Sequence, residues 1–157
     1  MSVKEVHNYD VPLIKQSNSK CCWYASFKML YGWNNHDMSE VRKRLNKVNI
    51  YTDDALDISK WGTASRALGL KGMRVSHLST YENLIDTLNR WGPMWCAGEF
   101  LEGSPHVIVL SGWNQKRKTV RFIDPYELWK SGTTSDYGHS YWWARIKNAE
   151  FACQQWA

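Results

Sequence analysis

The sequence predicts an α+β domain, because helical spacing of apolar residues fills its first half, β-type segments fill its second, and Gly92-Pro93 separates the two. No internal repeat, low-complexity tract or Pro/Gly/Ser linker divides the 157 residues. Single domains usually run about 100 to 200 residues, so one domain over 1–157 is expected.

The elements follow in order. Val11-Pro12-Leu13-Ile14 reads as a short extended lead-in. From Cys22 to Tyr31 the apolar residues Cys22, Ala25, Phe27, Met29 and Leu30 predict a largely buried helix that begins at or near Cys22 and stops at Gly32. Met38 to Leu45 predicts a second helix. Asp54 to Leu68 predicts a third, with Asp53, Asp54 and Asp57 at its positive end and Gly69 after it. A fourth follows the capping-box pattern Ser79-Thr80-Tyr81-Glu82 and runs through Leu88 until Gly92-Pro93 ends it. Beyond Pro93, strands are predicted over Met94 to Phe100, His106 to Trp113 and Thr119 to Ile123, with a further one over Tyr141 to Ile146.

Bulk composition narrows the function classes. A hydrophobic content of 43% with 22% charged residues is that of a soluble globular protein. Ten tryptophans are many for this length. Trp91, Trp95, Trp113 and Trp142 could build a core or line a groove, and core is the commoner use. No stretch reaches the roughly 18 to 20 apolar residues of a membrane span, and Met1 to Asp10 has no apolar signal core. The chain is therefore expected to be cytoplasmic where it is made, with delivery by a signal-peptide-independent secretion system, or excision from a larger protein, left open. The net charge of +5 is scattered. Its densest cluster, Lys116-Arg117-Lys118, reads as a solvated hairpin turn, and no nucleic-acid-binding motif accompanies it. The four cysteines, Cys21, Cys22, Cys96 and Cys153, form no C-x-x-C pair and no zinc-type spacing, so neither a metal nor another cofactor is expected and most of the thiols should be reduced.

Cys22 is the candidate nucleophile. A thiol attacks as thiolate, and the unpaired N–H groups and dipole of a helix N-terminus favour that anion in the first turn. The backbone N–H of Cys22 and the side-chain amide of Gln16, six positions upstream, could both donate to an oxyanion. Taken alone, Cys22 reads equally well as a buried structural thiol beside Trp23.

Of the five histidines (His7, His36, His77, His106 and His139), His106 has the context a base needs. It opens the apolar strand His106-Val107-Ile108-Val109-Leu110, while Asp124 closes the next strand, Val120-Arg121-Phe122-Ile123-Asp124. If the intervening turn centres on Gln115, His106 lies directly opposite Asp124, Ile108 opposite Phe122 and Leu110 opposite Val120, on a face that should pack on the core. The other face, with Val107, Val109, Ser111, Thr119, Arg121 and Ile123, is more mixed. Asp124 would then hold the imidazole tautomer while His106 takes the thiol proton. His139 is the second choice of base, and a structural His–Asp pair at a sheet rim is the other reading.

Gln16, five residues, Cys22 and Trp23 resemble the nucleophile segment of papain-like cysteine proteases, whose order of Cys, His and then Asn or Asp is that of Cys22, His106 and Asp124. The chain departs from Cys-Gly-Ser-Cys-Trp of the papains proper, having Ser19-Lys20-Cys21-Cys22-Trp23. The intervals are shorter than in papain. With Phe122-Ile123-Asp124-Pro125-Tyr126, the chain is most similar to bacterial papain-like proteases of the Avr-Rpt effector group, and more distantly to the leader-cleaving peptidase domains of peptide exporters. Trp23, where those exporters usually have Gly, argues against leader processing. The resemblance spans residues 11 to 126. It implies a papain-like fold, with the nucleophile at a helix start packed on an antiparallel sheet that carries His106 and Asp124. It also implies that Cys22, not Cys21, is the nucleophile, and that Cys21 points elsewhere.

The implied activity is that of a cysteine endopeptidase on protein substrates, in a bacterial effector or interbacterial toxin, with an immunity or inhibitor protein as a partner in the producing cell. Deamidase or transglutaminase-like transfer would use the same residues, and an inactive papain fold serving as a binding module is the alternative of another class.

Overall fold

The computed structural model describes residues 3–18, 20–101, 104–126 and 135–157. Ser19, in the segment ahead of Cys22, lies outside the described residues. In chain order the elements are β1 (Val6–Asn8), α1 (Cys22–Trp33), α2 (Ser39–Asn46), α3 (Trp61–Leu68), β2 (Leu70–Met73), α4 (Tyr81–Trp91), β3 (Met94–Leu101), β4 (Ser104–Asn114), β5 (Thr119–Ile123), β6 (Ser135–Gly138), α5 (His139–Arg145) and β7 (Cys153–Trp156).

Helix α1 begins at Cys22, as its spacing predicts, but continues through Gly32. This glycine serves close packing rather than termination: a Cβ there would lie 2.5 Å from the Pro12 ring. The third predicted helix starts seven residues late, at Trp61. Asp57 explains the delay, because its carboxylate accepts the Ser59 N–H at 3.0 Å and caps a 3₁₀ turn over Ile58–Lys60 instead of an α-helix from Asp54. At α4 the cap is Thr80, which accepts the Asn83 N–H at 3.2 Å, in place of the predicted Ser79–Glu82 pair.

The strand predicted over Tyr141 to Ile146 is helix α5. Its aromatic residues have high strand propensity, but Trp142 is the one buried side chain of the segment, and Arg145 turns back onto the Tyr141 ring, 3.3 Å from its centroid, at helical spacing.

Among the described residues all strand pairs are antiparallel, in the order β2-β7-β3-β4-β5-β6, with β1 beside the far end of β4. Both faces of this sheet are covered, so the face expected to be mixed is also core. On one side α1, α2 and α3 pack on Trp95, Ala97, Val107, Val109 and Ile123. On the other, α4 and Trp142 of α5 pack on Met94, Cys96, Ile108, Leu110 and Phe122. Trp95, stacked on Phe27 at 4.8 Å, also donates its indole N–H to Trp23 O at 3.1 Å, which pins the start of α1 to β3.

The β4–β5 register differs from the predicted one. The turn occupies 115–118, so that Asn114 faces Thr119 and Trp113 faces Val120. Continued without interruption, that register would put His106 and Asp124 on opposite faces. A β-bulge at Ser111 takes up one residue, after which Leu110 faces Phe122 and Val109 faces Ile123. Even-numbered residues of both strands then share a face again. His106 stands diagonal to Asp124 rather than opposite it, the position across from Asp124 falling to Ile108.

Candidate active site

Cys22 is the first residue of α1, and nothing acidic occupies the first turn. Cys21 sits at the cap position without capping the helix, because its thiol points away and donates to Thr52 O at 3.0 Å. The positive end of the helix is thus left to act on Cys22, whose side chain is nearly buried at 8% exposure. Trp23 holds the facing segment in place by donating to Asp54 O at 3.0 Å. All four cysteines are reduced.

His106 and Asp124 are each 4% exposed, and His106 Nε2 lies 2.5 Å from Asp124 Oδ1. The same carboxylate oxygen accepts the Tyr126 N–H at 2.9 Å, and the Tyr126 ring meets the imidazole edge to face at 6.4 Å. Asp124 is therefore held from both sides. Nε2 is engaged by Asp124, which leaves Nδ1 as the ring nitrogen available to Cys22.

Burial is the largest single influence on His106 and lowers its pKa. The hydrogen bonds to Asp124 and Cys22, together with the negative charge on each partner, outweigh it and push the value up from 6.5 to about 9. A folded-state pKa above the unfolded one means that the imidazolium stabilises the fold fully below pH 6.5, and that this contribution is lost as the pH rises through about 9. The urea midpoint of the wild type should fall across that window relative to His106→Gln. Parallel pH curves for the two proteins would assign the titration to another group.

Gln16 is buried and reaches the same region through its backbone, its N–H donating to Pro125 O at 3.3 Å. Its side-chain Nε2 donates to Asn18 O at 2.7 Å, which leaves one amide proton, while Oε1 has no hydrogen-bond partner among the described residues. His139 lies elsewhere, at the start of α5, with Nε2 3.0 Å from Leu78 O. The Lys116-Arg117-Lys118 cluster occupies the exposed β4–β5 turn.

A cleft of about 770 Å³ is lined by Cys22 and His106. Leu56, Ile58 and Trp61 form one wall, and Arg145 and Ile146 belong to another. On the sheet side lies Gly98, which pairs with Ile146. A Cβ at Gly98 would come within 2.2 Å of Arg145 O, a backbone atom that cannot swing aside. Gly98→Ala should therefore cost roughly 1–3 kcal/mol of stability, measured by urea denaturation, and displace the Arg145–Ile146 wall. An unchanged midpoint would contradict this packing.

Sequence reasoning missed both walls. Trp95, Trp113 and Trp142 are core, while among the described residues Trp23 and Trp61 reach the cleft. The only signal available was the run Ala55-Leu56-Asp57-Ile58, whose apolar residues lie outside any α-helix once Asp57 has capped the 3₁₀ turn. Among the described residues no helix is long and apolar enough to cross a membrane, and no cluster of His, Cys, Asp or Glu could hold a metal ion.

The family model described as papain-like cysteine protease AvrRpt2 matches residues 5–141. No curated protein matches the sequence significantly. Among solved structures, the fold is similar to a double glycine motif protease from an AMS/PCAT transporter, in complex with its leader peptide, with a TM-score of 0.59, 18% identity and coverage of 94% of this chain and 91% of that one. It is also similar to the peptidase domain of Streptococcus ComA, a bi-functional ABC transporter involved in a quorum-sensing pathway, with a TM-score of 0.60, 12% identity and coverage of 89% and 93%.

Proposed function

The chain belongs to the AvrRpt2 family of papain-like cysteine proteases, and on that footing we propose that its peptidase activity runs through a Cys22, His106 and Asp124 triad acting on protein substrates. The observation that carries this reading is the buried 2.5 Å contact between His106 and Asp124, at a cleft that Cys22 also lines. His106 holds the proton taken from Cys22, and Asp124 fixes the ring orientation and stabilises its positive charge. The Cys22 sulfur forms a bond to the scissile carbonyl carbon. His106 returns its proton to the departing amine, and a water molecule deprotonated by His106 then hydrolyses the thioester. The Cys22 N–H and the second amide proton of Gln16 are the donors for the oxyanion.

The substrate is an extended protein segment. Its support is the cleft itself, open between the 55–61 segment and the Arg145–Ile146 wall, together with the leader peptide bound by the similar transporter protease. The family resemblance favours a single-domain effector or toxin that is made in the cytoplasm, delivered to a target cell and held in check by an immunity or inhibitor protein. Trp23 beside the nucleophile favours targets other than leader peptides.

Two experiments test the proposal. Iodoacetamide at mildly acidic pH should label Cys22 ahead of Cys21, Cys96 and Cys153, and His106→Ala should weaken that selectivity; slow, equal labelling of all four would sink the triad. N-terminal proteomics of target cells expressing wild type or Cys22→Ala should show new protein termini only with wild type. Active protein that yields no new termini would mean transfer or deamidation instead of cleavage.

A further inference from the structure

Two thiols on the opposite face of the sheet take no part in this chemistry. Cys96 on β3 and Cys153 on β7 are direct cross-strand partners, and neither is exposed. Both lie in the core shared with α4, across the sheet from the core that contains Cys22. In the adjacent pair, Ala97 donates its N–H to Ala152 O at 2.8 Å. Bonded and non-bonded pairs alternate along an antiparallel ladder, so Cys96 and Cys153 form a non-hydrogen-bonded pair, in which facing Cα atoms approach to about 4.5 Å and side chains come closest. A disulfide spans Cα separations of about 4.4–6.8 Å. The register therefore presents the two sulfurs to each other without any need for the strands to move.

We propose that Cys96 and Cys153 are a dithiol/disulfide couple that closes a β3–β7 cross-link when the chain folds against an oxidising small-molecule disulfide such as oxidised glutathione. One cysteine thiolate attacks the glutathione disulfide, forming a mixed disulfide and expelling one glutathione thiolate. The other cysteine thiolate then attacks the protein sulfur of that mixed disulfide and expels the second glutathione. One S–S bond is consumed and one formed, two protein thiols are oxidised, and two glutathione thiols carry away the protons.

The folded protein resists this exchange. Burial and the neighbouring Cys153 thiol hold Cys96 protonated, well above the ordinary thiol range, and the core excludes glutathione. The redox state is thus set while the chain is open and kept once it has closed. Its effect reaches the cleft through the backbone, because Cys96 is followed by Ala97, which accepts the Lys147 N–H at 3.0 Å, and by Gly98, which pairs with Ile146. The cross-link ties the cleft's sheet side to the last strand of the chain.

The test is oxidative refolding of Cys22→Ala, which removes the reactive thiol and leaves Cys21, Cys96 and Cys153. The protein is refolded in an oxidising and in a reducing glutathione buffer, thiols are counted after denaturation, and linkages are mapped by non-reducing peptide mass spectrometry. The expected result is one remaining thiol, Cys21, in the oxidised sample and three in the reduced one, with a Cys96–Cys153 linked peptide. The oxidised protein should melt roughly 10 °C higher, as expected for closing a loop of more than 50 residues. Three thiols in the oxidised sample, or a linkage that includes Cys21, overturns the proposal. So does a melting difference that persists when Cys96→Ala is added.

Discussion

Cys22→Ala should lower peptide-bond hydrolysis on the order of 10⁵-fold or more, the scale on which losing a covalent nucleophile is felt. The melting temperature should change little, because one sulfur at a cleft-lining position is removed and the Trp23 and Trp95 hydrogen bonds that hold the helix start remain. Cys22→Ser sharpens the result. A hydroxyl at this position fits sterically, yet it does not ionise beside an imidazole as a thiol does, so serine should be nearly as inactive as alanine. Rates are to be compared on a quenched protein substrate with matched folded protein. Activity within tenfold of wild type in either variant would move the nucleophile away from Cys22.

The second largest effect belongs to Asp124. Asp124→Ala removes the acceptor for His106 Nε2 and for the Tyr126 N–H together, leaving a buried ring nitrogen unpaired and the ring without its hydrogen-bonded anchor. The rate should fall by about 10²–10⁴-fold. The pH profile separates this positioning role from general damage. In the wild type the alkaline limb of kcat/KM should fall near pH 9, where the imidazolium loses its proton. Without the Asp124 hydrogen bond and charge, two of the influences that raise the His106 pKa are gone and the limb moves to lower pH. Asp124→Asn keeps an oxygen for both donors and discards the charge, so it should recover part of the rate while its limb still moves down. An Asp124→Ala enzyme that is slow but keeps its alkaline limb near 9 would mean that the carboxylate merely supports the fold.

The legible part of the sequence was the part governed by local periodicity. The start of α1 at Cys22, the full extent of β5 and the cores of β3 and β4 follow from apolar spacing alone. What periodicity could not supply was anything fixed by one side chain's competing bond. Asp57 withholds seven residues from α3, Thr80 displaces Ser79 as a cap, and Trp142 draws an apparent strand into a helix. The short strands β1, β2, β6 and β7 were not anticipated, since three or four residues carry too little alternation to register. The meeting of His106 with Asp124 was foreseen from a turn centre that the structure replaces. The site pair survived because the error amounted to two residues, and strands repeat every two.

The extra residue in β4 also determines which deletions the strand can absorb. A chain shortened by Ser111 alone would run straight from Leu110 to Gly112, close the bulge into a continuous ladder and leave every side chain on the face it now occupies. Loss of any one residue between Val107 and Leu110 would carry His106 to the far side of the sheet. Ser111 nevertheless has a use of its own, since its carbonyl receives the Tyr9 N–H at 2.7 Å and fastens the N-terminal segment that leads to Gln16. Its removal should therefore loosen that segment while leaving His106 and Asp124 in step.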